Sequence, residues 1–224
     1  MAGSEFDDPN ESGPWPAFAD LLSATTLLFL ILFAAIAVPA LGENERIRDE
    51  LDALRTFKSQ VKHKLEALGG GVTIEEVGDY LVVQIPDSAV FPRNRYELSQ
   101  LQPLGRSILE EFGERIREDT TLLERIDQIH VVGHTSVEGP DSTNWRLSSA
   151  RAATVALFLI DSAGIHPCRI SALGRSRYYP VDPGDAQSVS SPDPADRRIE
   201  LEVRPGVMGR PSETRRTCIA DRVP

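Results

Sequence analysis

The 224-residue sequence predicts a single N-terminal transmembrane helix, a short coiled-coil connector and an α/β (α+β) sandwich domain. Three observations lead there. From Leu21 to Gly42 no residue is charged, and about 20 mainly apolar residues cross a bilayer as a helix. Ile47, Leu51, Leu54, Val61, Leu65 and Leu68 then recur at alternating four- and three-residue steps. Beyond Gly69-Gly70-Gly71, short β-type runs alternate with amphipathic helical stretches, the pattern of a layered α/β domain.

Residues 1–14 are acidic and rich in Gly, Ser, Asn and Pro, the composition of a disordered segment. Residues 15–42 form the expected span. Trp15 suits an interfacial belt and Pro16 a first helical turn, which places Asp20 about one turn inside the helix. The alternative is that Asp20 is the helix N-cap. A carboxylate within a span costs about 2.5–3.5 kcal/mol when central and so usually faces a partner or a water path. Asp20, Ser23, Ala24 and Leu27 share one helical face of small and polar residues, as helix contacts in membranes often do. Thr25 and Thr26 are candidate cation ligands, although threonines in such helices more often bond back to their own backbone. No Lys or Arg precedes the span, so an uncleaved anchor fits better than a signal peptide. Arg46, Arg48 and Arg55 follow it, and the positive-inside rule taken alone puts the C-terminal part in the cytoplasm.

Residues 43–71 read as a helical connector. With Lys58 as the one polar seam position, it is either a short coiled coil or a lone amphipathic helix packed on the domain that follows. In that domain, residues 72–204, Val72–Val77 and Tyr80–Ile85 are strands joined at Gly78-Asp79, a hairpin turn. Leu98–Ile116 has helical spacing, Ile126–Val132 is a strand, Trp145–Ser162 an amphipathic helix, and Arg169–Leu173 and Arg198–Val203 are strands. Pro180–Ala195 is loop chemistry and residues 205–224 a flexible tail.

Composition narrows the function. A formal net charge of −10 with no basic cluster argues against nucleic-acid binding. Cys168 and Cys218 are too few for a disulfide framework but compatible with one staple. His63, His130, His134 and His166 show no metal-ligand spacing, and no nucleophile, base and orienter stand together, so neither a metal, a cofactor nor an enzymatic activity is expected.

Four separated motifs carry a family resemblance: Val131-Val132-Gly133-His134-Thr135, then Asn144 to Ala152 (NWRLSSARA), then Gly174-Arg175-Ser176, then Asp196-Arg197-Arg198-Ile199-Glu200. In this order they resemble the OmpA/MotB C-terminal domain over roughly Val72 to Val203. That resemblance implies noncovalent binding of peptidoglycan. Wall stem peptides carry carboxylates and amino groups, which call for a guanidinium and an acid or carbonyl. By resemblance Arg151 is the guanidinium, Asn144 and Leu147 line the pocket, Thr135 lies opposite and Arg198 supports it. Ser136 stands where the family usually has the Asp that pairs with the ligand's ammonium, and Glu138 or Asp141 are candidate substitutes.

The segment Trp15-Pro16-Ala17-Phe18-Ala19-Asp20-Leu21-Leu22 is similar to the membrane signature of B subunits of ion-driven stator motors, with Asp20 at the ion-carrying aspartate. The resemblance implies a homodimer inside a ring of five multi-pass MotA-like A subunits, transport of protons or sodium ions, a cytoplasmic N-terminus and a periplasmic domain at the bacterial inner membrane. Flagellar B subunits generally carry a basic N-terminal segment and a long plug-containing linker. The acidic start and the short stretch Glu43–Gly71 look more like the B subunit of the Zorya anti-phage defence system. A flagellar-type stator and a passive wall anchor are the alternatives.

Overall fold

The computed structural model describes residues 14–66, 68–182 and 192–206, with backbone alone at 37–47 and 50. The expected disordered start, most of the 180–195 loop, nearly all of the tail and Cys218 lie outside the described residues; Cys168 is not a free thiol. The chain forms two compact units, Met1–Leu51 and Asp52–Pro224.

The first unit is the helix α1, which begins at Trp15 and runs to Leu65 in the second unit. Its stretch Trp15–Ile36 is long and apolar enough to cross a membrane, and every side chain there is exposed in the isolated chain. The Phe18 amide donates to the Pro14 carbonyl, so helical bonding starts ahead of Asp20, which is an interior helical residue rather than an N-cap. Trp15 and Phe18 meet edge to face at 6.4 Å between centroids. The Ser23 hydroxyl donates to the Ala19 carbonyl, Thr25 to Leu21 and Leu22, and Thr26 to Leu22.

In the second unit the end of α1 packs on its own domain. Phe57, Val61 and Leu65 are buried, as is Leu68 just past the helix, whereas Leu51 is half exposed. The apolar stripe is therefore used within one chain over this part, with Phe57 buried and Leu54 partly buried. Lys58 leaves the seam and pairs with Glu76 at 3.0 Å while donating to the Gly78 carbonyl, which ties the helix to the hairpin beside it.

That hairpin joins β1, Thr73–Val77, to β2, Tyr80–Pro86, with Gly78 at a φ of 56° in the turn. The four-residue helix α2, Asp87–Val90, follows directly, and its proximity to Pro86 hid it within the apparent strand-to-loop transition. The expected helix over 98–116 is in two pieces: a 3-10 turn at Leu98–Gln100, then α3, Pro103–Glu118, with Pro103 at its first turn. Asp119 caps a further short helix, α4, Thr120–Arg125, by accepting from the Leu122 amide. Then come β3, Ile126–Gly133, α5, Asp141–Asp161, β4, Ile170–Gly174, and β5, Arg198–Pro205.

The five strands form one mixed sheet in the order β1-β2-β5-β3-β4, antiparallel except for the β3–β4 pair, which α5 connects. Ile108, Leu109, Phe112 and Ile116 of α3 and Val155, Phe158 and Leu159 of α5 close over Leu81, Val83, Ile129, Val131, Leu201 and Val203 to make the core. Period 3.6 on the helices and period 2 on the strands place these residues on one side of each element.

Gly133 ends β3 where α5 crosses it, and a Cβ there would lie 2.2 Å from the Ser148 carbonyl oxygen. Backbone, not a flexible side chain, is what it would strike. Gly133→Ala is therefore expected to cost about 1–3 kcal/mol through overpacking, read as a lowered midpoint in thermal unfolding, with the α5 motif displaced from β3.

Candidate functional site

Where β2, β3 and the start of α5 converge, a cavity of about 440 Å³ is lined by residues of α2, of the loop after it, of the loop after β3 and of α5. Six of the eight sequence-chosen residues meet there: Thr135, Ser136 and Glu138 from the loop, and Asn144, Leu147 and Arg151 from α5. Asn144, Leu147 and Arg151 share one face because they are three and four residues apart. Arg198 does not line it. The strand turns Arg198 to Glu200, with its Nε 2.7 Å from the carboxylate, and its neighbour Arg197 takes the place at the cavity.

Sequence reasoning missed Asp87, the first residue of α2. Its carboxylate lies 2.7 Å from Nη1 of Arg151, and both side chains are almost wholly buried. Arg151 also donates from Nε to the Arg95 carbonyl at 2.9 Å and from Nη2 to the Pro92 carbonyl at 3.4 Å, and it lies over the Phe91 ring. It is not a solvated helix-face arginine. It clamps α2 and the segment after it onto α5. Burial pushes the Asp87 carboxyl up to about 6, against the pull of the Arg151 and Arg197 charges. The one signal for Asp87 in the sequence was an acid standing immediately after an apolar strand.

Neither proposed substitute for an acid at position 136 is free. Glu138 pairs with Arg93 at 2.6 Å and stands 3.8 Å from Arg197, and Asp141 pairs with Arg177 at 2.8 Å. Asn144 is one turn inside α5, whose N-cap is Pro140, and it is buried. Three buried polar atoms of cavity-lining residues have no hydrogen-bond partner: Asp87 Oδ1, Thr135 Oγ1 and Asn144 Nδ2. Buried polar groups are rarely left unpaired in a native fold, and each costs about 1–3 kcal/mol. An acceptor, a hydroxyl and a donor around one cavity form a set that a ligand with both donor and acceptor groups satisfies.

Behind the site, β5 carries a second charged layer. Glu200 accepts from Arg198 and lies 3.0 Å from Nε2 of His134. Burial pushes the His134 imidazole down, with Glu200 opposing and Arg198 and Arg175 adding to the depression. Glu202 accepts from Arg175 at 2.8 Å and from Arg204 at 2.7 Å. Burial would raise its carboxyl, but hydrogen bonds from His130 and Arg204 and the nearby guanidinium charges hold it at about 2. Among the described residues no group of three metal-ligating side chains occurs.

Residues 90–191 match the OmpA family. The chain is 30% identical over 108 residues to outer membrane protein A of Bordetella avium, which covers 48% of this chain and 51% of that protein. It is 27% identical over 137 residues to the probable lipoprotein YiaD of Escherichia coli strain K12, 61% and 57% of the two chains. It thus spans about half the length of these curated relatives. Among solved structures it resembles a putative MotB-like protein from Desulfovibrio vulgaris, with a TM-score of 0.57 and 19% identity over 73% of this chain and 98% of that one. The protein is one N-terminal apolar helix followed by an OmpA-like α/β domain, as the sequence predicts.

The depressed Glu202 carboxyl gives stability a definite pH dependence. Its folded value is below its unfolded value, so its contribution is complete above about 4.5 and is lost as pH falls towards 2. Glu202→Gln is expected to cost on the order of 2–3 kcal/mol near neutral pH. In denaturant unfolding from pH 7 to 2, the gap between parent and variant should close at the acid end.

Proposed function

We propose that this chain is the wall-anchored B subunit of an ion-driven, MotAB-like motor of the bacterial inner membrane, of the Zorya anti-phage type. The observation that carries the anchoring half is the cavity and its three unpaired polar atoms. Peptidoglycan stem peptides present ammonium, carboxylate and amide groups, and Asp87, Thr135, Asn144 and Arg151 offer their complements.

The motor half rests on Asp20, which lies inside the apolar helix and not at its end. A lone helix cannot enclose an ion path, so the reading requires a multi-pass A-type partner, five to two by family resemblance. Asp20 would take up and release a proton or sodium ion while the wall-bound domain holds the subunit still. This assigns the N-terminus to the cytoplasm and the domain to the periplasm, against the three arginines after the span. The short connector and acidic start favour the defence system over the flagellar stator.

One observation favours the second reading, a passive wall anchor. Ser23, Thr25 and Thr26 direct their hydroxyls back to helix carbonyls, the bonding of a plain membrane anchor rather than of ligands gathered beside Asp20.

Purification of the chain in mild detergent from its native operon is expected to recover a multi-pass partner in excess over it. Recovery of this chain alone would favour the passive anchor. Asp20→Asn should abolish ion-dependent activity and leave retention on isolated cell-wall sacculi within about twofold of the parent. A reporter fused after Val203 should be active on the periplasmic side; cytoplasmic activity would end the motor reading.

A further inference from the structure

The turn after β4 carries a feature that the cavity does not use. Tyr178 from that turn and Trp145 from the start of α5 stand with ring centroids 6.2 Å apart at an interplanar angle of 37°, and they are 54% and 44% exposed. Large rings left in water side by side mark a contact surface. The turn that presents Tyr178 is fixed. Arg177 lies over the Tyr178 ring at 5.7 Å, pairs with Asp141 at 2.8 Å and donates to the Val137 carbonyl. Ser176, buried and with a φ of 54°, anchors the turn, its amide donating to Ser148 Oγ and its carbonyl accepting from the Thr135 amide. A non-glycine residue in the left-handed region persists only where its surroundings hold it. Tyr179, equally exposed, turns edge-on to His134 under Arg175 and belongs to the charged layer instead.

The place of the ring pair in the fold points to its occupant. Thr143 and Asn144 line the cavity, whereas Asp141 and Trp145, four residues apart on one helical face, do not. The start of α5 thus presents the cavity on one side and the rings on another. A wall stem peptide is covalently joined to a sugar strand, so a peptide end seated in the cavity brings sugar to this part of the surface. A pyranose offers C–H groups on its face and hydroxyl and acetamido groups around its edge. Two rings bordered by Asp141 and Arg177 are complementary to that distribution. They cover far less than the roughly 800 Å² per side that a standard protein interface buries.

We infer that Trp145 and Tyr178 form a sugar-binding platform beside the cavity, which takes the N-acetylated aminosugar strand that carries the stem peptide. The inference rests on the wall-binding reading. It divides recognition of peptide and strand between two sides of one helix terminus, so the domain holds the same ligand at two points. Two ring contacts are expected to raise affinity at least about fivefold.

The test uses the full-length chain in detergent micelles. Retention on isolated sacculi of a diaminopimelate-type wall is measured first. Two soluble fragments of that wall are then titrated, the bare stem peptide and the stem peptide with its disaccharide. The parent is expected to stay on sacculi and to bind the disaccharide form at least about fivefold more tightly than the bare peptide. Trp145→Ala and Tyr178→Ala should each lose most of that difference while binding bare peptide as the parent does, and Trp145→Phe should keep it. Both positions are half exposed, and unchanged binding of bare peptide separates a lost ring contact from a misfolded domain. Equal binding of the two fragments, or of neither, by a parent that stays on sacculi would overturn the platform and leave wall binding standing, the rings then being a contact for a protein. So would a difference that survives in both alanine variants. A parent that neither stays on sacculi nor binds a fragment would remove the wall-binding reading and the inference together.

Discussion

The domain is organised around a buried ion pair. Arg151 is its largest fully buried side chain, and a guanidinium can stand inside a protein only if its donors and charge are met there. Asp87 meets the charge, and the carbonyls of Pro92 and Arg95 take two donors. Those partners come from α2 and the segment after it, so the pair fixes where this irregular stretch lies against α5. Removing either partner leaves an uncompensated buried charge, which typically costs about 3–5 kcal/mol. The cavity is a consequence: its inner wall is the pair itself, and its mouth is the segment the pair holds down.

The same pair carries an electrostatic tension. Burial raises the Asp87 carboxyl to about 6 even though two arginine charges oppose the shift. A raised carboxyl means that the folded state favours the proton, so this group stabilises the fold most at low pH and progressively less as pH rises through about 6. Glu202 on β5 runs the other way. Within one domain, two buried carboxylates pull stability in opposite directions with pH, one short of donors and the other amply supplied.

The regular elements were legible because their periodicity is strong. The apolar run, the β1–β2 hairpin with its glycine turn, and the strand and helix that carry the Gly-His-Thr and Asn-Trp-Arg motifs all lie within a few residues of where hydrophobic spacing puts them. The departures have local causes. Helices α2 and α4 are four and six residues long, too short for a 3.6-residue period to declare itself. Pro103 divides the stretch read as one helix from Leu98. The stripe on α1 leaves open a seam between chains or a face on the domain that follows, because a period cannot say what it faces, and the residues from Phe57 onwards pack into their own domain's core. Asp87 was missed for a related reason: its role depends on a residue distant in sequence, and a lone acid after a strand looks like any turn. Arg197 and Arg198 were confused because a doublet does not show which member the strand turns outward.

The strand order has a consequence for how the chain is made. β5, the last strand among the described residues, occupies the middle of the sheet, with the β1–β2 hairpin on one side and the β3–β4 pair on the other. Until β5 is synthesised these two pieces share no edge, and each is a two-stranded fragment with one edge left unpaired. The last strand is therefore a keystone: assembly of the full sheet waits for the chain to reach Pro205, and it then needs the long loop closures that slow such topologies. A ribosome stalled before that point would hold an open chain however much of the sequence had already emerged.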